Sequence, residues 1–134
     1  MQVIHSFDSV LCFLHSAVME VDQSVEDLQA KVIQSCEIEI VECLEAVDIL
    51  PCLTCLSSND KDKIKNTYHS ETRQEAARMV VDCLVRKKAG SFYKDFILGL
   101  EKQKLKHIIN LLNEKLTAGR GIIILLHFYN FHTF

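Results

Sequence analysis

One proline and four glycines interrupt 134 residues, and that scarcity restricts the fold more than any other feature of the chain. Sandwiches and barrels turn back every ~8–12 residues and rely on Gly and Pro to do it. A sequence short of both, and rich in Leu, Ile, Val, Glu and Lys, is left with long regular elements, and that mixture suits helices better than strands. Hydrophobic residues make up 49% of the chain, enough for one compact core at this length. The expectation is a single all-α domain with short appendages at its ends.

Apolar residues recur at helical spacing along most of the chain. Ile4, Phe7, Leu11, Leu14, Val18 and Val21 fall at steps of three and four, which is the stripe of an amphipathic helix. Asp22-Gln23-Ser24 breaks it, and Ser24 with Asp27 has the spacing of a capping box. Leu28, Val32, Cys36, Ile40, Leu44 and Val47 carry the next stripe. Within it Cys36-Glu37-Ile38-Glu39-Ile40 alternates as a strand would, but no second strand signal lies nearby, so a bent helix is expected. Pro51 stands in a short segment from Asp48 to Leu56. Ser57-Ser58-Asn59-Asp60 then opens a polar helix whose inward side is Ile64 and Tyr68. Thr72 with Glu75 forms another capping box, ahead of a helix that turns Ala76, Val80, Cys83 and Leu84 to one face and keeps Arg78, Asp82 and Arg86 off it. After a break at Gly90-Ser91, Phe92, Phe96, Ile97 and Leu100 form one stripe, and Leu105, Ile108, Ile109, Leu112 and Leu116 form the last.

Residues 25–116 thus read as six helices with short connections, an antiparallel bundle. The chain divides into an N-terminal amphipathic helix (1–23), the bundle domain (24–116) and an apolar tail (117–134). Thr117-Ala118-Gly119-Arg120-Gly121 is expected to end the last helix. The run Ile122-Ile123-Ile124-Leu125-Leu126 beyond it is uncharged and sticky. It falls far short of the ~20 apolar residues of a spanning helix, so no transmembrane segment is expected.

A net charge of −3 makes the whole chain a poor polyanion binder, and no nucleic-acid partner is expected without a strongly clustered basic face. The apolar stretch Val10–Met19 follows Asp8 in place of a basic region and contains His15, so it does not read as a secretory leader. Six cysteines occur: Cys12, Cys36, Cys43, Cys52, Cys55 and Cys83. Five of them sit among apolar neighbours, as core thiols of a reducing compartment do, and a cytoplasmic location is expected. Cys52-Leu53-Thr54-Cys55 is the one motif with chemical potential, since two thiolates three apart can hold zinc or cycle as a dithiol. A zinc site needs two further ligands, no second such motif exists, and His69 stands alone. Two small residues on a buried helix are the plainer reading. None of the six histidines lies in a local motif, and GxSxG, HExxH and phosphate-cradling glycine loops are all missing. No catalytic residue, metal ligand or cofactor is expected, and the protein is not expected to be an enzyme.

Charge is segregated. Glu26, Asp27, Glu37, Glu39, Glu42, Glu45 and Asp48 crowd the first long helix and its extension. Lys61, Lys63 and Lys65 crowd the third helix, and Arg86, Lys87 and Lys88 end the fourth. Opposite signs on different helices of one small bundle suit head-to-tail association. The candidate partner-binding residues are Glu37, Glu42, Glu45, Asp48, Lys61, Lys63, Lys65, Arg73, Arg86 and Lys87.

Ile49-Leu50-Pro51-Cys52-Leu53-Thr54-Cys55-Leu56, followed by Asp60, Asp62, Lys63 and Ile64, resembles the second and third helices of caspase-recruitment domains. It looks closest to those of the mitochondrial antiviral signalling adaptor and its RIG-I-like receptor partners. Glu71-Thr72-Arg73-Gln74-Glu75-Ala76-Ala77, running to Leu84, resembles the fourth helix. Lys88-Ala89-Gly90-Ser91-Phe92, with Phe96, Ile97 and Leu100, resembles the fifth, although the antiviral members usually open it with Trp where this chain has Phe92. The charge layout also departs: many relatives set a basic first/fourth-helix face against an acidic second/third-helix face, and here the first helix is acidic and the third basic.

The similarity covers residues 25–116. It implies a death-fold bundle of Greek-key type, binding to other recruitment domains, self-association, and a role in innate immune (antiviral) or apoptotic signalling without a cofactor. Two alternatives stand beside it. One is a small metal- or redox-binding helical protein using Cys52 and Cys55, and the other a membrane-surface protein using the tail and first helix. With 18 residues after Leu116, the expected role is a decoy or regulator competing for the growing end of an assembly.

Overall fold

The computed structural model of the protein describes residues 25–133, with side chains described as far as Gly121. The helix expected over residues 1–23 and the Ser24 half of the first capping box lie outside the described residues. Seven α-helices and one 3₁₀ turn succeed one another, and no strand occurs among the described residues.

The first two, α1 (Val25–Ser35) and α2 (Glu37–Cys43), are the arms of the bent helix, with Cys36 at the elbow. The Cys36 amide donates to the Ile33 carbonyl at 3.1 Å, and the Cys36 carbonyl accepts from Ile40 at 3.0 Å. The turn is tightened there without leaving those groups unpaired, so the alternation around Cys36 never becomes a strand. The stripe keeps its phase through the bend: Ile33, Cys36, Ile40 and Leu44 are all fully buried.

The stripe does not run on in the same helix to Val47. Leu44 and Glu45 are extended, and a new short helix, α3 (Ala46–Ile49), starts after them. It passes into a 3₁₀ turn (Leu50–Cys52) with Pro51 in its first turn, where a missing N–H costs little. The Gln103 side chain holds the break. Its amide oxygen accepts from the Glu45 N–H at 2.9 Å, and its amide nitrogen donates to the Glu45 carbonyl at 2.9 Å. A residue 58 positions away supplies what the interrupted helix would have supplied.

α4 (Ser58–Ser70) and α5 (Arg73–Lys87) form a hairpin. Ser57 caps α4 with the full reciprocal box: its hydroxyl accepts from the Asp60 amide at 3.1 Å, and the Asp60 carboxylate accepts from the Ser57 amide at 3.3 Å. At α5 only half of the expected box forms. The Thr72 hydroxyl accepts from the Glu75 amide at 3.0 Å, while the Glu75 carboxylate pairs with Arg78 at 2.7 Å. The guanidinium one turn on is a stronger partner than a backbone N–H. α5 ends at Lys88, in the left-handed conformation, and Gly90 at φ +59° completes the turn. α6 (Phe92–Lys102) and α7 (Lys106–Thr133) follow.

Charged contacts give the directions. Asp27 meets Lys88 at 2.8 Å, Glu37 meets Arg78 at 3.9 Å, and Glu45 meets Arg73 at 2.6 Å. The acidic partner climbs the chain as the basic one descends, so the bent α1–α2 arm runs antiparallel to α5. Lys87 at the end of α5 pairs with Asp60 at the start of α4, so those two are antiparallel as well. On the other flank Lys115 reaches the Ser35 carbonyl at 3.3 Å, while Gly119 lies against Leu28, so α7 also opposes α1.

Phe92, Phe96 and Leu100 are fully buried and Ile97 partly so, which matches the expected stripe of α6, and Tyr93 is buried beside them. No described polar or charged residue is buried. Gly99 lets α6 approach the turn into Pro51: a Cβ there would stand 2.3 Å from the Ile49 side chain. The last helix departs from expectation, because α7 does not stop near Leu116 but runs 28 residues to Thr133. Gly119 and Gly121 lack the positive φ that ends helices, and a helical glycine costs only about 1 kcal/mol against Ala.

Candidate interaction surface

The fold sorts the ten candidate partner-binding residues into two groups. Glu37, Glu45, Arg73 and Lys87 are engaged within the chain, in the pairs with Arg78, Arg73, Glu45 and Asp60. Glu42, Asp48, Lys61, Lys63, Lys65 and Arg86 enter no ion pair with a described residue. Of these, Glu42, Asp48, Lys63, Lys65 and Arg86 are exposed, and Lys61 is half-buried.

The engaged group is fixed by α5, the helix packed against α1, α2, α3 and α4. The pair at its end is the tightest. The Lys87 ammonium donating to Asp60, joined by the Ser57 hydrogen bonds, holds the Asp60 carboxyl well below its ordinary range, at about 2.

The unengaged cations do not share one face. Lys61 and Lys65 are four apart and lie together on α4, whereas Lys63 stands on the opposite side of that helix. Lys63 lines a groove of about 260 Å³ between α4 and α5, together with Asp60, Met79, Asp82, Cys83 and Arg86. The Arg86 guanidinium donates to Cys83 Sγ at 3.6 Å. The groove therefore offers thioether and thiol surface among two cations, Lys63 and Arg86, and two carboxylates, Asp60 and Asp82, with neither cation in an ion pair with a described residue.

Ile38, which is not among the candidate partner-binding residues, stands out on α2. At 74% exposure it is the most exposed large apolar residue described, well beyond Val25 at 52% and Leu98 at 45%. The signal was present, since Ile38 lies two residues from both Cys36 and Ile40 and so points away from their buried stripe. Glu39 and Glu42 flank it on α2, both exposed and neither in an ion pair with a described residue. α2 thus presents an apolar knob rimmed by acid.

Cys52 and Cys55 bracket the end of the 3₁₀ turn, both half-buried against the core and both free thiols. Burial pushes the Cys55 thiol above its usual value, with the Asp95 charge adding to it, which disfavours the thiolate that metal binding or redox cycling needs. Thr54 between them is tied to α6 by donating to Asp95 at 2.8 Å. Among the described residues no three of His, Cys, Asp and Glu gather as a metal ion would require. His69 is exposed and stands edge-on to Tyr68. No described helix is long and apolar enough to cross a membrane.

Among the described residues the surface presents sorted charges and one bare apolar knob. No curated protein and no solved structure gives a match to the chain. The family model of the caspase recruitment domain matches residues 25–116, from the start of α1 to Leu116 within α7. That is more than half of the chain, and it is the bundle whose ion pairs and joints are described above. The chain belongs to the caspase recruitment domain family, whose members are protein-interaction modules.

Proposed function

We propose that this chain binds other recruitment domains, copies of itself included, by a head-to-tail contact. In that contact the acidic ridge of α2 on one molecule meets Lys63 and Arg86 at the groove between α4 and α5 on the next. One observation carries the reading: Ile38, with Glu39 and Glu42 beside it, stands exposed on one helix, while Met79 and Cys83 line a groove elsewhere whose Lys63 and Arg86 enter no ion pair with a described residue, although Asp60 and Asp82 line it too. The two surfaces lie on different helices, so a joined pair keeps one ridge and one groove free, and the contact propagates. Burying an isoleucine contributes ~1.5–3 kcal/mol, and flanking charges chiefly set register and partner choice. Each contact is weak, and a chain of them accumulates.

The likeness of residues 49–64 to antiviral recruitment domains favours innate immune signalling in the cytoplasm, with apoptotic signalling as the second pathway. The test is co-precipitation against a panel of recruitment domains with this chain as bait. Binding to at least one of them, lost in Lys63→Glu, is expected; no binding to any would contradict the reading. Co-expression with a pathway reporter then distinguishes the decoy or regulator, which inhibits with dose, from a seed that activates.

A further inference from the structure

Cys43 and His107 lie 64 residues apart in sequence, yet the fold brings Cys43 Sγ and His107 Nε2 to 3.5 Å, the thiol half-buried and the imidazole exposed. Cys43 ends α2, and His107 lies in the first turn of α7. A thiol beside an imidazole is a nucleophile beside its base. We propose that Cys43 is a redox modification site, where the thiol, with His107 accepting its proton, exchanges with a low-molecular-weight disulfide and retains one half as a mixed disulfide.

The other described thiols are poorer candidates. Cys36 is fully buried and Cys83 is 5% exposed. Burial pushes the thiols of Cys83 and Cys55 upward, and Cys52 packs against the core. None of these has a described imidazole in contact. Lys104 and Lys106, both exposed, precede His107 in sequence and suit a disulfide that carries carboxylates.

The exchange balances without a further reagent. With the ring hydrogen assigned to Nδ1, His107 Nε2 takes the Cys43 proton. The thiolate attacks one sulfur of the disulfide, the sulfur–sulfur bond breaks, and a bond to Cys43 forms. The departing thiolate recovers the proton from the imidazolium. Cys43 is oxidised, and the departing half is reduced to a free thiol. Because Cys43 follows Glu42 on α2, an adduct stands beside the acidic ridge and weakens assembly. That consequence rests on the proposed function, whereas the exchange itself does not.

The experiment uses the full chain, reduced and then exposed to glutathione disulfide at neutral pH. Samples are quenched over time, and each cysteine, Cys12 included, is scored on its own peptide by mass. Cys43 is expected to gain glutathione before Cys36, Cys52, Cys55 and Cys83. His107→Gln, an exposed change checked by an unaltered melt, is expected to slow the Cys43 reaction about threefold or more and leave the others unchanged. Cys43→Ser should remove the early adduct. An unchanged Cys43 rate in His107→Gln would overturn the assignment. So would earlier labelling of Cys52 or Cys55, or a Cys52–Cys55 disulfide as the first product. A Cys43 adduct that forms as expected but leaves sedimentation unaltered would spare the site and count against the acidic ridge alone.

Discussion

α4 and α5 lie side by side, are both rich in cations, and look alike as charge runs, yet the fold uses them differently. α5 is central: it buries Ala76, Ala77, Val80, Val81, Cys83 and Leu84, and its Arg73, Arg78 and Lys87 reach carboxylates on other elements. α4 is peripheral: Ile64 is its one buried residue, and none of its three lysines pairs with a described carboxylate. Three of the four cations on the central helix fasten the bundle and only Arg86, at the groove, does not, while those on the edge helix all stay available to another molecule. The difference between a structural charge and a binding charge therefore lies in what each residue's side of its helix packs against, and the sequence of the run does not contain it.

The largest effect expected from this contrast comes from truncating the two helices' anchors. Leu84→Ala and Ile64→Ala should each cost roughly 2–5 kcal/mol, since both side chains are fully buried. Their consequences should differ in kind. Leu84→Ala lowers protection against hydrogen exchange throughout the bundle, whereas Ile64→Ala frees α4 first and leaves α5 protected. Simultaneous loss of protection in both helices would break the comparison.

The caps come next. Ser57→Ala and Thr72→Ala should each cost about 1 kcal/mol in chemical denaturation. Ser57 should cost the more of the two, because its box is reciprocal and that of Thr72 is half-made.

The Lys87–Asp60 pair sharpens the contrast through pH. The Asp60 carboxyl is held at about 2 when folded, below its ordinary 3.8. The folded state thus binds that proton less tightly than the unfolded one. The stabilisation is present above the unfolded value and is lost as pH falls from about 4 toward 2. Lys87→Met should be less stable than the parent near neutrality, with the gap closing through that window in melts at successive pH values. A gap that stays constant to pH 2 would mean that the pair contributes no charge-dependent stability.

The smallest stability effect is expected where the binding effect is greatest. Lys63→Glu changes an exposed charge and should move stability by only about 0.5 kcal/mol. Raised salt should mimic it on assembly, because exposed charges are screened over ~8 Å at physiological ionic strength.

Much of the fold was legible in the sequence where the governing interaction is local. The bend at Cys36, the caps at Ser57 and Thr72, the stop at Gly90 and the stripe through Phe92, Phe96 and Leu100 all follow from residues within a turn or two of one another. The joint at Leu44–Glu45 was not legible, because Gln103 makes it from the far end of α6. The end of α7 was misplaced because glycine was read as a stop where the backbone stays helical. The charged residues of the candidate surface were visible as types. Which of them remain unpaired depends on helix contacts that no run of charges encodes, and Ile38 was hidden within a pattern read only for secondary structure.

The central claim is a heterologous contact between the α2 ridge and the α4–α5 groove, and sedimentation velocity on two half-dead variants tests it directly. Ile38→Lys with Glu42→Lys removes the ridge and keeps the groove, while Lys63→Glu with Arg86→Glu removes the groove and keeps the ridge. The parent is expected to form assemblies that grow with concentration, and each variant alone to sediment as a monomer. Mixed one to one, the variants are expected to form a dimer and nothing larger, since only one productive pair of surfaces remains. Variants that assemble like the parent, or a mixture that stays monomeric while the parent assembles, would contradict the contact. A parent that remains monomeric would contradict self-association itself.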